Sequence, residues 1–344
     1  MANDSDGTIL GAPYQAEARP GAGPHGSASV ANGTATGFRS AHLVAPPPSR
    51  RRTRGEMDGI RSAIYEILEA ENPATVRQTF YALVSRGLIG KSEREYKGTV
   101  VRLMTDMRIS GQIPWGWVAD NTRWMRKPST FGSLGEYLEA GAAGYRRSLW
   151  ADAPERVEIW LEKDALSGVL QSVTSEFDVP LMVTRGYPSI TYLKDAAELI
   201  SAHAFRGTST QIYYFGDHDP SGCNIDITAE RRLREFVDLD LQGSRLSSID
   251  ALTFQRVAVL RHQIEAFGLP TRPTKATDSR SKGFEGESVE LDAISPTMLR
   301  QMCRSCIEPH IDLDLLSKLQ QTEQLEREAL SQFARHWNIG GGLS

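Results

Sequence analysis

Three carboxylates and one phenol are the residues of this chain whose spacing permits chemistry. Asp217 and Asp219 flank His218, so in an extended segment both carboxylates project to one side and the imidazole to the other. Glu162 closes an earlier apolar run, residues 157–161. If the two runs are neighbouring strands, the three acids meet. Two unpaired carboxylates ~5 Å apart at an effective dielectric of ~20 repel by about 3 kcal/mol, and a divalent cation removes that cost. An all-oxygen set that fills part of a coordination shell favours Mg²⁺, which keeps waters and binds phosphate oxygens. Taken singly the signals are weak. Asp219-Pro220-Ser221-Gly222 is also a turn composition, and Glu162 has Lys163 beside it as a partner. Their placement at successive strand ends is what singles out a metal site.

Tyr81 follows Arg77 by four residues, which on a helix puts the guanidinium on the phenol's face. A phenol of pKa ~10 is only about one part in a thousand ionised at pH 7, a deficit of roughly 4 kcal/mol for a nucleophile. Cations must stabilise such a phenolate. The same spacing describes a packed tyrosine beside a surface arginine, since Val76, Phe80 and Leu83 form an apolar stripe next to it.

These residues need elements to hold them. Helical periods run through Ile60, Ile64, Ile67 and Leu68, then from Asn72-Pro73 to about Gly87. A third runs from Ser92-Glu93-Arg94-Glu95 to Gly111, and a short extended piece over 112–118 follows. Three short helices and a wing describe a winged helix-turn-helix. From residue 157 strands and helices alternate. Strands are expected at 157–161, 180–184, 211–215 and 256–260, and helices at 164–177, 190–205 and 227–237. That alternation predicts a mostly parallel, Rossmann-like α/β sheet, whose ligand site lies beyond the carboxyl ends of its strands. The expected organisation is a disordered basic tail over 1–55, a winged-helix domain carrying Tyr81 over 56–150, and an α/β metal-binding domain with a helical extension over 155–344.

Composition narrows the class. The chain has 344 residues, 40% hydrophobic and 24% charged, without an apolar run near the ~20 residues of a membrane span. Three cysteines cannot close a disulfide framework, which points to a reducing cytoplasm. Residues 76–127 hold ten Lys/Arg and four Asp/Glu, a local +6 against −10 elsewhere, as expected for a DNA-docking module beside a metal-binding one. Arg50-Arg51-Arg52-Thr53-Arg54 and the loop residues Lys275, Arg280 and Lys282 read as phosphate contacts or as solvated charge. Trp115, Trp117 and Trp124 read first as wing packing and second as base stacking. Cys303, Cys306 and His310 lack a fourth zinc ligand and read as helix.

Glu162, Gly186-Tyr187-Pro188-Ser189 and Asp217-His218-Asp219-Pro220-Ser221-Gly222 together resemble the Glu…Gly…Asp-x-Asp pattern of Toprim domains. Trp160-Leu161-Glu162-Lys163-Asp164-Ala165 and a late strand, Val289-Glu290-Leu291-Asp292-Ala293, narrow the resemblance to the topoisomerase VI A-subunit group. That group includes the meiotic double-strand-break transesterases and stand-alone "mini-A" homologues. Arg77-Gln78-Thr79-Phe80-Tyr81 resembles the group's Arg-x-x-aromatic-Tyr motif, and the likeness runs from about residue 56 to 325. It implies that Tyr81 attacks double-stranded DNA with Arg77 assisting, giving a 5′-phosphotyrosyl bond and a free 3′-hydroxyl. It also implies Mg²⁺ on Glu162, Asp217 and Asp219. A homodimer in which one protomer's tyrosine meets the other's metal, and a separate ATPase subunit, come with the resemblance. So does a nucleoid-associated location, or a nuclear one in a eukaryote. Two other readings stand beside it: a Toprim nuclease that cuts with metal-activated water, and a non-cleaving DNA-binding subunit that needs a partner.

Overall fold

The computed structural model describes residues 52–119, 129–151, 153–273 and 287–340, without side chains for 338–340. The expected tail up to Arg51, Trp124, Lys275, Arg280 and Lys282 lie outside the described residues. The described residues from Arg52 onward form one compact unit.

Its first part is helical. Helix α1 (Arg54–Glu71) opens at Thr53, whose hydroxyl accepts the Glu56 N–H while the Glu56 carboxylate accepts the Thr53 N–H. This cap starts the helix two residues before the boundary expected at 56. Thr75 and Gln78 form the same reciprocal cap for α2 (Val76–Ser85), so the helix begins three residues beyond Asn72-Pro73. Helix α3 runs through Glu93–Glu95, a π-helical stretch Tyr96–Val101, and Arg102–Ile109. Ile64, Leu68, Leu83, Val100, Leu103, Met104 and Met107 close a dry core between the three helices. The stretch expected to extend as a wing behaves differently. Trp115–Trp117 form a 3-10 turn, and Val118 makes only an isolated parallel bridge to Ala74. Trp117 packs on Tyr65 of α1 with ring centroids 5.5 Å apart, which holds the stretch against the helices. Helix α4 (Leu134–Gly144), expected within the winged-helix domain, packs on the C-terminal helix instead.

The second part is a four-stranded, all-parallel sheet. Its chain order is β1 (Glu155–Leu161), α5 (Ser167–Glu176), β2 (Leu181–Val183), α6 (Ile190–Ala204), β3 (Ser209–Phe215), α7 (Gly222–Asp240) and β4 (Leu252–Ala258), with a single helical turn Ser248–Ala251 before β4. The spatial order is β2-β1-β3-β4. One face of β1 (Val157, Ile159, Leu161) packs with Val169, Leu170 and Val173 of α5. Trp160 on the other face packs with Leu193 and Ile200 of α6 and Leu233 of α7. The chain therefore winds outward in both directions from β1 and β3, which makes their carboxyl ends the switch point of the sheet. Helix α8 (Arg261–Ala266) follows, then α9 (Pro296–Ile307), which covers the α5 face through Leu299 and Cys303. Helix α10 (Leu313–Gly340) closes the chain. Buried Gly135, Ala142 and Ala334 are small residues of α4 and α10, and Arg147 pairs with Glu326 at 2.6 Å. Residues 289–293, expected as a strand, form an isolated bridge at Val289 and a 3-10 turn at Leu291–Ala293.

Leu170 is fully buried between α5 and the sheet. Leu170→Ala is expected to cost about 2–5 kcal/mol in urea unfolding, while the exposed Leu199→Ala stays within about 0.5 kcal/mol.

Candidate functional site

β1 and β3 run in register to their ends, Leu161 opposite Phe215, so the next residues of each must meet. The Glu162 N–H donates to the Phe215 carbonyl at 2.9 Å, and the Asp217 N–H donates to Glu162 Oε2 at 2.9 Å. The carboxylate thus lies across the end of β3. Only glycine permits this at 216, because a Cβ there would stand 2.7 Å from Glu162 Oε2 and 2.5 Å from the Tyr214 ring. Gly222 is required in the same way, since a Cβ would come within 2.3 Å of the Asp217 carbonyl oxygen. Arg256, on the neighbouring strand β4, donates to the carbonyls of Gly216, Asp217 and Gly222 and pairs with Asp226 at 3.3 Å. The bend after β3 is therefore fixed from both sides.

The expected acids are placed unequally. Asp217 is buried, and its Oδ1 accepts the Leu291 N–H at 2.8 Å and the Lys163 ammonium at 3.0 Å. Asp219 Oδ1 accepts the Gly222 N–H at 2.7 Å, and Oδ2 stands 3.6 Å from Arg272. That is the work of a turn residue at the head of α7. His218 pairs through its backbone with Val289, N–H to carbonyl in both directions at 2.9 Å. The structure thus brings Glu162 and Asp217 together, while the Asp219 carboxylate is engaged in its own turn. Among the described residues no group of three or more His, Cys, Asp or Glu side chains is arranged to hold a metal ion.

Two further acids join them. Glu290 and Asp292 are buried beside Lys163, whose Nζ lies 3.4 Å from Glu290 Oε2 and 2.7 Å from Asp292 Oδ2. Glu290 also takes Arg77 at 2.9 Å and Arg272 at 2.9 Å. Thr75 donates to Asp292 at 3.3 Å, and Gln78 to the Ile294 carbonyl at 3.3 Å. Helix α2 is thereby docked on the acidic cluster. A cleft of about 610 Å³ opens there, with Arg77, Glu162, Lys163, Arg185, Asp217 and Glu290 in its walls. Lys163 is the centre of this cluster rather than a partner of Glu162. Glu290 and Asp292, expected only as part of a late strand, join it with Arg272, while Arg256 braces the bend, roles that the sequence does not assign them. Glu290 and Asp292 did repeat the two-residue spacing of Asp217 and Asp219, a signal that was available.

Arg77 and Tyr81 share a helix but not an environment. Arg77 reaches the cleft, its guanidinium 4.6 Å from the Tyr96 ring centroid. Tyr81 is only 4% exposed, packed on Phe80 with Lys91 Nζ 5.4 Å from its ring centroid. Burial and Glu290 push its phenol up to about 12, against the pull of Arg77, Lys163 and Arg272. Burial pushes Glu162 up to about 7, with Asp217 adding repulsion. Burial likewise raises Asp217, opposed by Lys163. Glu290 is held below the ordinary carboxylate range because Lys163, Arg77 and Arg272 outweigh its burial.

Hard oxygen donors in mutual repulsion suit a divalent cation, and the Glu162–Asp217 pair fits one on that ground. The other sequence candidates do not gather into sites. His310 is held between Tyr213 at 2.7 Å and Glu155 at 2.5 Å, away from a shared cage with Cys303 and Cys306. Trp115, expected first as wing packing, is 61% exposed with the Arg108 guanidinium 4.3 Å from its ring centroid, so it lies open on the surface. No protein-family model, curated protein or solved structure matches the chain.

The raised Glu162 carboxyl gives a pH test. Folding holds it protonated to about 7 against an ordinary 4.5, so ionising it within that window costs the folded state stability. In metal-free buffer Glu162→Gln is expected to melt above the wild type at pH 8, the gap closing as pH falls below about 4.5. A gap that is the same at every pH is the contrary result.

Proposed function

We propose that the chain is a magnesium-dependent transesterase of the topoisomerase VI A-subunit type, acting on double-stranded DNA. One observation carries this reading. The helix that bears Tyr81 and Arg77 docks, through Arg77 and Thr75, on the same acidic cluster that closes the switch point of the parallel sheet. A nucleophile-bearing helix and a cation-binding rim in one place is the juxtaposition that phosphoryl transfer needs.

Glu162 and Asp217, with Asp219 once its carboxylate turns from Gly222, would hold Mg²⁺, which supplies positive charge at a phosphate oxygen. The rest is the chain's own. Tyr81 Oη gives up its proton and bonds to phosphorus as the P–O3′ bond breaks; the 3′ oxygen takes up one proton in exchange, so the enzyme keeps the 5′ end and a 3′-hydroxyl leaves. Arg77, already oriented by Glu290, faces the phosphate and counters its developing charge. Since burial holds the phenol near 12, Tyr81 must move toward Arg77 and Lys163 before it ionises. The resemblance pairs one protomer's tyrosine with the other's metal, whereas here the Tyr81 helix docks on the acidic cluster of its own chain. A homodimer would supply two sites in either arrangement, one for each strand, and strand passage would need the separate ATPase subunit. Such an enzyme works where DNA is, in the nucleoid or nucleus. No helix among the described residues is long and apolar enough to cross a membrane.

That same buried phenol favours a second reading, a Toprim nuclease that uses water. Duplex DNA incubated with Mg²⁺ and then denatured separates them. The transesterase forms a covalent protein–DNA adduct that Tyr81→Phe abolishes while DNA binding is retained. An adduct that survives in Tyr81→Phe removes Tyr81 from the mechanism. Cleavage that persists in Tyr81→Phe but is lost in Asp217→Ala selects the nuclease. Salt-sensitive binding indifferent to Mg²⁺ and to Asp217→Ala leaves only a DNA-binding subunit.

A further inference from the structure

Lys163 directly follows Glu162 at the end of β1, where its neighbour is the first acid of the proposed cation site. Its ammonium does not pair with Glu162. It gathers Asp292 at 2.7 Å, Asp217 at 3.0 Å and Glu290 at 3.4 Å, three carboxylates drawn from the turn after β3 and from the segment before α9. Two of those acids are themselves the anchors of α2, through Arg77 on Glu290 and Thr75 on Asp292. Burial alone would lower the ammonium's pKa. Asp292, Asp217 and Glu290 more than offset this and hold it well above the ordinary lysine range, so it stays a fixed cation.

On Asp217 the lysine and the Leu291 N–H share a single oxygen, Oδ1. Any divalent cation taken up by Glu162 and Asp217 must therefore sit beside a positive charge already paired with one of its own ligands. Two cations at that separation repel, and both compete for the same carboxylate. Lys163 keeps 23% of its side-chain surface exposed, so it borders the cleft rather than lying sealed beneath it.

We propose that the Lys163 ammonium is a resident counter-ion that keeps the acidic cluster assembled without metal and sets the affinity of the Glu162–Asp217 site by competing for Asp217. The inference rests on the magnesium reading above. It makes Lys163 a positioning and affinity-setting residue, acting through Asp217 on the bound cation.

The test uses the full chain with Lys163→Met, which keeps length and loses charge, and Lys163→Arg, which keeps charge. Mg²⁺ binding is measured by calorimetry, and thermal unfolding with and without Mg²⁺. The Met variant is expected to melt below the wild type in metal-free buffer, to bind Mg²⁺ at least about tenfold more tightly, and to regain the lost Tm when Mg²⁺ is added. The Arg variant should bind within a few-fold of the wild type. A folded Met variant with unchanged or weaker Mg²⁺ affinity overturns the proposal, as does one that stays unfolded at saturating Mg²⁺. Wild-type binding with an unaltered Met variant removes only the role of Lys163. Absence of binding in the wild type and both variants removes the magnesium reading itself.

Discussion

Four carboxylates at one sheet rim, Glu162, Asp217, Glu290 and Asp292, are the constraint that the rest of the structure answers. Buried acids survive only where opposite charge and hydrogen bonds replace their lost water. Each countercharge comes from a different place in the chain: Lys163 from the end of β1, Arg77 from α2, Arg272 from the segment after α8. None of these is a surface pair that can be lost at little cost. Removing Lys163 takes the one cation shared by Asp217, Glu290 and Asp292, whereas Glu290 without Arg77 or Arg272 keeps two others. The helical part is thus held on the sheet by electrostatic necessity as much as by apolar contact.

Backbone geometry makes the rim possible. Because Leu161 and Phe215 are in register, Glu162 arrives at Gly216 and Asp217 without a loop between them. A residue with a side chain at 216 would drive the carboxylate away from β3, and one at 222 would unseat the bend that turns Asp217 inward. Arg256 adds side-chain hydrogen bonds to three carbonyls of that bend, beside the backbone bonds of Gly216 with Ala258 and Val259. The result is a carboxylate pair set by main-chain hydrogen bonds.

Much of the architecture was legible in the residues. The change from helical to alternating period placed β1, β2 and β3 to within two residues, because apolar spacing is a local property of the chain, but caught only the last three residues of β4, which runs Leu252–Ala258 rather than 256–260. Capping pairs marked where helices begin, although Thr75 with Gln78 outcompeted Asn72-Pro73 for the start of α2. What stayed hidden was whatever depends on distant partners. Lys163 looked like a partner for Glu162 and instead reaches residues 290 and 292. The alternation rule assumed that Asp217 and Asp219 lie in one extended strand. The chain turns between them, so one acid faces Lys163 and the other caps Gly222. Trp117 has a partner in Tyr65, fifty-two residues earlier, and no periodic signal announces that contact.

The short ribbon from Ser288 to Ile294 has a role beyond its two acids. Its backbone pairs with Arg272 on one side and His218 on the other, its Leu291 N–H holds Asp217, and its Ile294 carbonyl accepts Gln78. Seven residues therefore stitch a loop, a strand end and a helix from three remote stretches of chain. Local opening of that ribbon would release all three at once, so the amides of α2 and of the β3 turn should share one protection factor in hydrogen exchange. Opening of those seven residues would thereby uncouple the helical part from the sheet rim in one step.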